Sequence, residues 1–419
     1  MSGVVTKSSP VVVAPSAPGM PTGDVQLSRF DKVAGCAPVS SILVFDKPID
    51  DPADTIMRAL SRALVHYPPI SGRLAAGAEG GEVIACTGEG QGVLFVSASA
   101  SCAVDGVLPP ALLKDLFVQY PQELCCRHAD PLLLMQVTEF SCGGFAVGVS
   151  WNHALADGAG MGQFLQAVAE LARGMSAPSI APVRSDGLVL AAHPRGMAAA
   201  DFASAELTRD LAYVDLTIPE SFISRVKAEV SAGLGEPCTV FEAVVAVLWR
   251  CRARAVISDV DPERPASLVF GCNVRGPVGA PGGYYGNCLV AESVVAAVAN
   301  GDIKDIVKLI KIAKQKIHDN IRSGDVVDPV VRQPLGYSTL LVSSWRNLGL
   351  EAPDFGGGTP ARVVWYVPQV FMPVLIICPP CKGHNGVNVS GYIVKKGHVD
   401  AFLHELATMS LNPGCGHGQ

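Results

Sequence analysis

The sequence predicts an α/β protein of mixed-sheet, α+β character, built as two domains. Three observations point there. The chain has 419 residues, more than one hydrophobic core usually fills, so two domains are expected. Strand-length apolar runs and helix-period segments interleave in both halves, without strict βα alternation. Between the halves, residues 174–200 hold Gly, Pro, Ser and Ala with little apolar period, the composition of a crossover. The expected division is residues 1–175, a linker over 176–205 and residues 206–419, with terminal strands free to exchange between domains.

Residues 1–25, rich in Pro, Ser and Val, read as an extended arm. Ile56, Leu60 and Leu64 recur at one-turn spacing with Asp54 placed to cap, predicting a helix over Pro52–Val65. The two prolines in Tyr67–Leu74 are read as forbidding helix there. Short strands are expected at Glu82–Cys86 and Val93–Ser97, around a glycine-rich turn over 88–92. Leu132–Phe140 and Gly144–Ser150 predict a hairpin through Ser141–Gly144. A helix follows from about Gly162 to Arg173, with Phe164, Val168 and Leu171 on one face.

The second half opens with a strand at Leu211–Ile218, a helix at Pro219–Val230 and an apolar, buried helix at Val240–Cys251. Strands at Ser267–Asn273 and Cys288–Val298 bracket a Gly/Pro loop. A charged helix at Ile303–Arg322 carries lysines on its wet face. Thr339–Val342 reads as strand, the stretch to Pro360 as irregular. Two or three strands and a helix near Val399–Met409 close the chain.

Composition removes several classes of function. Apolar residues make up 49% and charged residues 17%, so large cores are expected rather than disorder. A net charge of -6 gives no reason to expect nucleic acid or an anionic membrane as partner. The apolar run Val370–Cys378, interrupted by Pro373, falls short of the roughly 18–20 residues a membrane span needs. Val11–Val13 is too short for a signal-peptide core. A soluble, cytoplasmic monomer is expected. Thirteen cysteines then read as free thiols in a reducing compartment. Cys378-Pro-Pro-Cys381 with His384 nearby has the spacing of a redox or zinc site. It follows a strand-like run and enters a loop, so a plain turn and no metal are expected.

Chemistry concentrates in His153-Ala-Leu-Ala-Asp157-Gly158. Histidine suits proton transfer near neutral pH, and this one follows a buried strand that can aim it. Gly158, Gly160 and Gly162 are expected to let a ligand approach the backbone and a helix begin. Alone, the pattern is weak and reads first as a satisfied histidine at a strand end. A nicotinamide site is disfavoured because the glycines are spaced GxGxG, eight residues beyond the strand, with no acidic residue about twenty positions on. No GxSxG elbow marks a serine hydrolase.

The His153–Gly158 string resembles the HxxxDG motif of the plant BAHD acyltransferases, and other stretches agree in order along the chain. Tyr67–Leu74 resembles the YPxxGRL element, and Leu134–Gly144 the strand pair ahead of the motif. Val240–Ala243 with Trp249-Arg250 is similar to the family's buried helix. Asn273-Val-Arg275 and Tyr284-Tyr-Gly-Asn287 resemble NxR and YxGN, and Ser343-Ser344-Trp345 then Asp354-Phe-Gly resembles the run into the second signature, DFGWG. One departure is plain: Gly357 stands where that signature has tryptophan.

The resemblance implies two coenzyme A acyltransferase-like domains with a channel at their interface and His153 near its middle. An acyl-CoA would serve as co-substrate, with no permanently bound cofactor and no acyl-enzyme. His153 would be the general base for an alcohol or amine acceptor. Asp157 is implied to pair with Arg275 and orient the loop rather than complete a dyad, and Asp354 to be structural. Gly158, Asn287, Ser344, Trp345 and Arg346 are expected along the acyl-CoA and substrate channel; a turn cap for Asn287, a core position for Trp345, and solvent rather than an acceptor carboxylate for Arg346 are the open alternatives. Arg250, Arg252 and Arg254 are read as charge at a helix C-terminus or as a clamp for the coenzyme A phosphate. The Leu134–Gly144 stretch looks most like members using benzoyl or hydroxycinnamoyl donors. Acetyl or malonyl donors, and a non-catalytic binding protein, stay open.

Overall fold

The computed structural model describes residues 4–17, 22–35, 37–78, 80–88, 91–104, 108–121, 126–184, 208–257, 263–323, 336–368 and 370–411. In chain order the N-terminal half gives β1 (Val5–Lys7), β2 (Val11–Val13), β3 (Gly23–Gln26), α1 (Arg29–Ala34), β4 (Pro38–Phe45), α2 (Pro52–His66), α3 (Pro68–Ser71), β5 (Arg73–Ala76), β6 (Glu82–Cys86), β7 (Val93–Ala100), α4 (Pro110–Leu113), β8 (Leu133–Phe140), β9 (Phe145–Asn152) and α5 (Gly158–Ala172). The second half gives β10 (Leu211–Pro219), α6 (Glu220–Leu234), α7 (Val240–Ile257), β11 (Ala266–Asn273), β12 (Leu289–Ala296), α8 (Ile303–Ser323), β13 (Thr339–Ser344), β14 (Arg362–Val364), β15 (Val374–Cys378), β16 (Gly386–Lys395) and α9 (Val399–Leu411).

Two mixed sheets organise these elements. The first runs β1-β7-β8-β9-β4-β14, with β2 also on β7, and the second runs β10-β16-β15-β13-β11-β12. A small sheet, β3-β6-β5, stands apart. Strand β14 belongs by sequence to the second half yet pairs antiparallel with β4 of the first sheet, Val363 opposite Leu43. The two halves therefore share a sheet edge. Helices α2 and α5 pack together over the first sheet, closing a core that includes Leu60, Leu64, Phe145, Val147, Phe164 and Val168. A second core around Trp249, Phe270, Ile310, Ile393 and Phe402 lies between the second sheet and helices α6–α9. Every such side chain withdrawn from water contributes on the order of 1.5–3 kcal/mol.

Several local expectations are met, and others change for physical reasons. Helix α2 starts at Asp51, whose carboxylate accepts from Asp54 N at 3.2 Å, so Asp51 caps rather than Asp54. The prolines of Tyr67–Leu74 do not exclude helix: Pro68 and Pro69 occupy the first positions of one-turn α3, where no N–H is missed. Residues 26–51 carry no clear apolar period, yet they hold α1 and β4. The arm is not simply extended, since β1 and β2 both pair with β7. The lysines of α8 are not all wet, because Lys314 Nζ reaches buried Glu242 at 2.6 Å and Lys316 Nζ reaches Glu292 at 3.3 Å. Most of the expected linker lies outside the described residues. No described helix is long and apolar enough to cross a membrane.

Candidate active site at the meeting of the two halves

The His153 loop begins where β9 ends. Strand β9 is buried along its whole length, and Asn152 then turns the chain by accepting from Ala154 N at 3.0 Å. His153 N donates to Ala37 O at 2.9 Å, tying the loop to the segment ahead of β4. Trp151 Nε1 donates to Ala156 O at 2.9 Å from beneath. The loop closes on Asp157, the N-cap of α5, whose Oδ1 accepts from Gly160 N at 3.0 Å. Helix α5 therefore starts at Gly158, a turn earlier than periodicity suggests, because a polar cap and not an apolar side chain begins it.

Asp157 is 1% exposed and its carboxylate is fully engaged. Arg275 Nη1 and Nη2 reach its two oxygens at 2.8 Å each, and Cys288 N donates to Oδ2 at 2.9 Å. Arg275 also donates to Gly286 O at 2.7 Å, so one bidentate pair ties the loop after β9 to the one between β11 and β12. Burial opposes the Arg275 charge, and the hydrogen bonds and charge of Asp157 outweigh it, raising the guanidinium pKa. None of the carboxylate's hydrogen bonds goes to the imidazole of His153.

That place belongs to Asn287. His153 Nδ1 stands 3.0 Å from Asn287 Oδ1. The Asn287 NH2 donates to His153 O at 2.7 Å and to Asp31 Oδ1 at 2.9 Å, two groups that only accept. The amide oxygen therefore faces the ring, Nδ1 carries the proton, and Nε2 keeps its lone pair. Asn287, expected to line the channel, is 1% exposed and committed to His153 and Asp31. Asp31 in turn meets Arg184 Nη2 at 3.1 Å, with both side chains buried. Arg184 also donates to Leu155 O and, at 3.3 Å, to Ala154 O, bracing the His153 loop.

The loop glycines serve packing rather than ligand approach. A Cβ at Gly160 would lie 1.8 Å from Tyr285 O, and one at Gly162 would lie 2.1 Å from Leu348 O. At Gly158 it would meet Leu348 Cδ1 at 2.6 Å, so this glycine lies against a protein side chain. Ser344, Trp345 and Arg346 lead into that same Leu348 turn. Trp345 N bonds Ile377 O at 2.7 Å and its side chain is buried in the first core. Arg346 is half-buried and makes no ion pair among the described residues.

Other expected residues stand apart from His153. Asp354 Oδ1 accepts from Gly356 N and Gly358 N, both at 2.8 Å, and these bonds, that of Gly356 foremost, lower its pKa against the opposing effect of burial. Asp354 thus shapes its own turn. Phe355 inserts edge-on against Phe45, ring centroids 5.3 Å apart. At Gly357 a Cβ would sit 3.2 Å from Pro48 O and 3.3 Å from Lys47 O, so the chain before α2 fills the space beside it.

Two of the three arginines are committed within the protein, Arg252 and Arg254. All three lie inside α7, which runs on to Ile257. Arg252 is wholly buried, donating to Ile393 O at 2.8 Å and to Tyr337 O, and burial lowers its pKa to about 10. Arg254 pairs with Glu405 at 2.8 Å. Cys378 and Cys381 are free thiols. Burial pushes Cys378 up to about 12, no thiolate for redox work. No cluster of metal-binding side chains occurs among the described residues.

Sequence reading missed Asp31 and Arg184. Ser28-x-x-Asp31 has capping-box spacing, which locates α1, and the reciprocal bonds are present at 3.1 and 2.9 Å. Nothing in that spacing announces a partner 256 residues away.

Comparisons with known proteins place the chain in a family. The model of the Transferase family matches residues 4–408. Acyl transferase 15 of Oryza sativa subsp. japonica is 41% identical over 440 residues, covering 98% of this chain and 99% of its own. A myricetin 3-O-glucosyl 1,2-rhamnoside 6'-O-caffeoyltransferase, AT2 of Crocosmia x crocosmiiflora, is 33% identical over 447 residues, covering 97% and 99%. The 3'-N-debenzoyl-2'-deoxytaxol N-benzoyltransferase of Taxus canadensis is 34% identical over 380 residues, covering 86% and 84%. Among solved structures, vinorine synthase superposes with TM-score 0.73 at 19% identity, covering 97% and 98%. TRI101 of F. sporotrichioides, complexed with coenzyme A and T-2, gives 0.69 at 16%, covering 92% and 97%.

Proposed function

The chain belongs to the Transferase family, the BAHD acyltransferases, and from that premise we propose that it moves an aromatic acyl group from coenzyme A to an alcohol or amine. The observation that carries the chemistry is the Asn287 oxygen 3.0 Å from His153 Nδ1, which calls for the proton of the neutral ring on Nδ1 and leaves Nε2 as the base. The acceptor's oxygen or nitrogen attacks the thioester carbonyl while its proton passes to Nε2. The tetrahedral intermediate then collapses, the C–S bond breaks, and the imidazolium returns the proton to sulfur. The products are an ester or amide and free coenzyme A, and no covalent bond to the protein forms.

Asn287 orients the ring, while Asp157 and Arg275 hold the loop. Arg346, a half-buried cation with no described ion-pair partner, is assigned to an anionic group of acceptor or coenzyme A. An aromatic donor is supported by the caffeoyl- and benzoyltransferases among the relatives. The test is thiol release from benzoyl-, coumaroyl- and acetyl-CoA with pooled alcohols and amines. Turnover with an aromatic donor supports the proposal, and turnover with acetyl-CoA alone replaces the donor.

A further inference from the structure

We propose that Asp31 is a positioning residue for catalysis: buried on α1, it fixes the orientation of the Asn287 amide and thereby the protonation state of His153. The inference rests on the reading of His153 as the base, and reaches one residue further back.

Asp31 Oδ1 accepts from both Asn287 N, at 3.0 Å, and Asn287 Nδ2, at 2.9 Å. Its Oδ2 accepts from Ser28 N at 2.9 Å and pairs with Arg184. The carboxylate thus gathers four donors from three separate stretches of chain. Its charge is balanced by Arg184, which Asp31 keeps protonated against the burial that opposes it.

An asparagine amide can flip, exchanging oxygen for NH2 with almost no change in shape. Flipped, Asn287 would aim its oxygen at the Asp31 carboxylate and at His153 O, placing acceptor against acceptor. Its NH2 would face Nδ1 and call for the opposite tautomer, with the proton on Nε2 where the acceptor's proton must go. The carbonyl of His153 alone opposes the flip with a neutral hydrogen bond. Asp31 adds a charge-assisted one, typically about twice as strong. The tautomer that leaves Nε2 free is therefore set from a carboxylate that never touches the ring. Arg184 joins the two ends, since its guanidinium holds Asp31 on one side and the carbonyls of Ala154 and Leu155 on the other.

A capping and packing role alone accounts for Ser28 but predicts no effect on the imidazole. The experiment separates the two. Asp31→Asn keeps the shape, removes the charge and turns an NH2 toward donors from which the carboxylate accepted. Protein labelled with 15N-histidine, with the His153 signals identified by their loss in His153→Gln, reports the tautomer directly. The expected result is that proton occupancy shifts toward Nε2 and kcat falls about 10–100-fold, the range for losing a partner that orients a metal-bound imidazole. The KM for acyl-CoA should change little. An unchanged Nδ1–H signal with kcat within twofold of the parent would overturn the proposal.

The exchange Asp31→Asn with Asn287→Asp decides the matter even if the single variant does not fold. It moves the carboxylate next to Nδ1, where it accepts that proton directly, and leaves an amide to bridge back. The exchange should outperform Asn287→Asp alone, which sets two carboxylates together. It should also move the acid limb of the kcat/KM profile to higher pH, because a carboxylate favours the imidazolium. An exchange no better than Asn287→Asp contradicts the proposal. A tautomer shift in Asp31→Asn without loss of kcat supports the role of Asp31 while contradicting His153 as base.

Discussion

Asp157 and Arg275, separated by 118 positions, meet through two parallel hydrogen bonds of 2.8 Å. Asp157 caps α5 and Arg275 follows β11, so the pair ties the His153 loop to the other half of the molecule. Breaking such a pair leaves one buried charge uncompensated, a loss of about 3–5 kcal/mol. Asp157→Ala should lower the thermal midpoint clearly, and activity should fall with it. Asp157→Asn can keep the cap through its amide oxygen but turns an NH2 toward Arg275 and Cys288 N, which only donate, so its midpoint should also fall below that of the parent.

Backbone carbonyls lie where side chains would grow at Gly160 and Gly162. Gly160→Ala should displace the loop from Tyr285 and reduce both stability and kcat. Gly271→Ala on β11, with nothing within 4 Å of the added carbon, should be nearly silent in the same melts.

Gly357 offers a test of the altered signature. A Cβ there is already crowded by Lys47 and Pro48 backbone, so restoring tryptophan overfills the site. Gly357→Trp should destabilise by about 1–3 kcal/mol with little change in the kcat of the folded fraction. A stabilised variant would show that the neighbouring chain yields easily.

Buried Glu242 gives the pH dependence a sign. Burial pushes its carboxyl upward, but the Lys314 hydrogen bond, the Thr239 N–H and the charges of Lys314 and Lys311 prevail and lower its pKa. A depressed carboxyl stabilises the fold above its unfolded value, about 4.3, and that stability is lost as pH falls through the folded value. Glu242→Gln should therefore be least stable relative to the parent near pH 7. The gap in thermal midpoints should close toward about pH 4 and below. A gap independent of pH would mean the charge contributes nothing.

The longer helices and most strands are legible in the sequence because they carry their own period, as in α2 and α8. Strand β4 is not, since Pro38-Val-Ser-Ser-Ile-Leu-Val-Phe45 has no alternation and is buried by neighbours on both edges. The same limit applies at the site. His153 and Asp157 share one short loop and stand out as a motif. Asp31 and Arg184 act only through contacts with distant chain, and Asn287 is visible in the sequence as part of YxGN but not as the partner of the ring. Local spacing locates the candidate base, while the residues that hold its ring are brought in by the fold.

The central claim is that His153 Nε2 takes the acceptor's proton during attack on an acyl-CoA. The most direct measurement is thiol release from an aromatic acyl-CoA with pooled acceptors, parent beside His153→Ala, with both proteins shown to be folded by calorimetry. A general base of this kind is worth about 10²–10⁴-fold, and the variant should fall by at least that factor with its melt unchanged. Turnover within a fewfold of the parent would contradict the account and require another base.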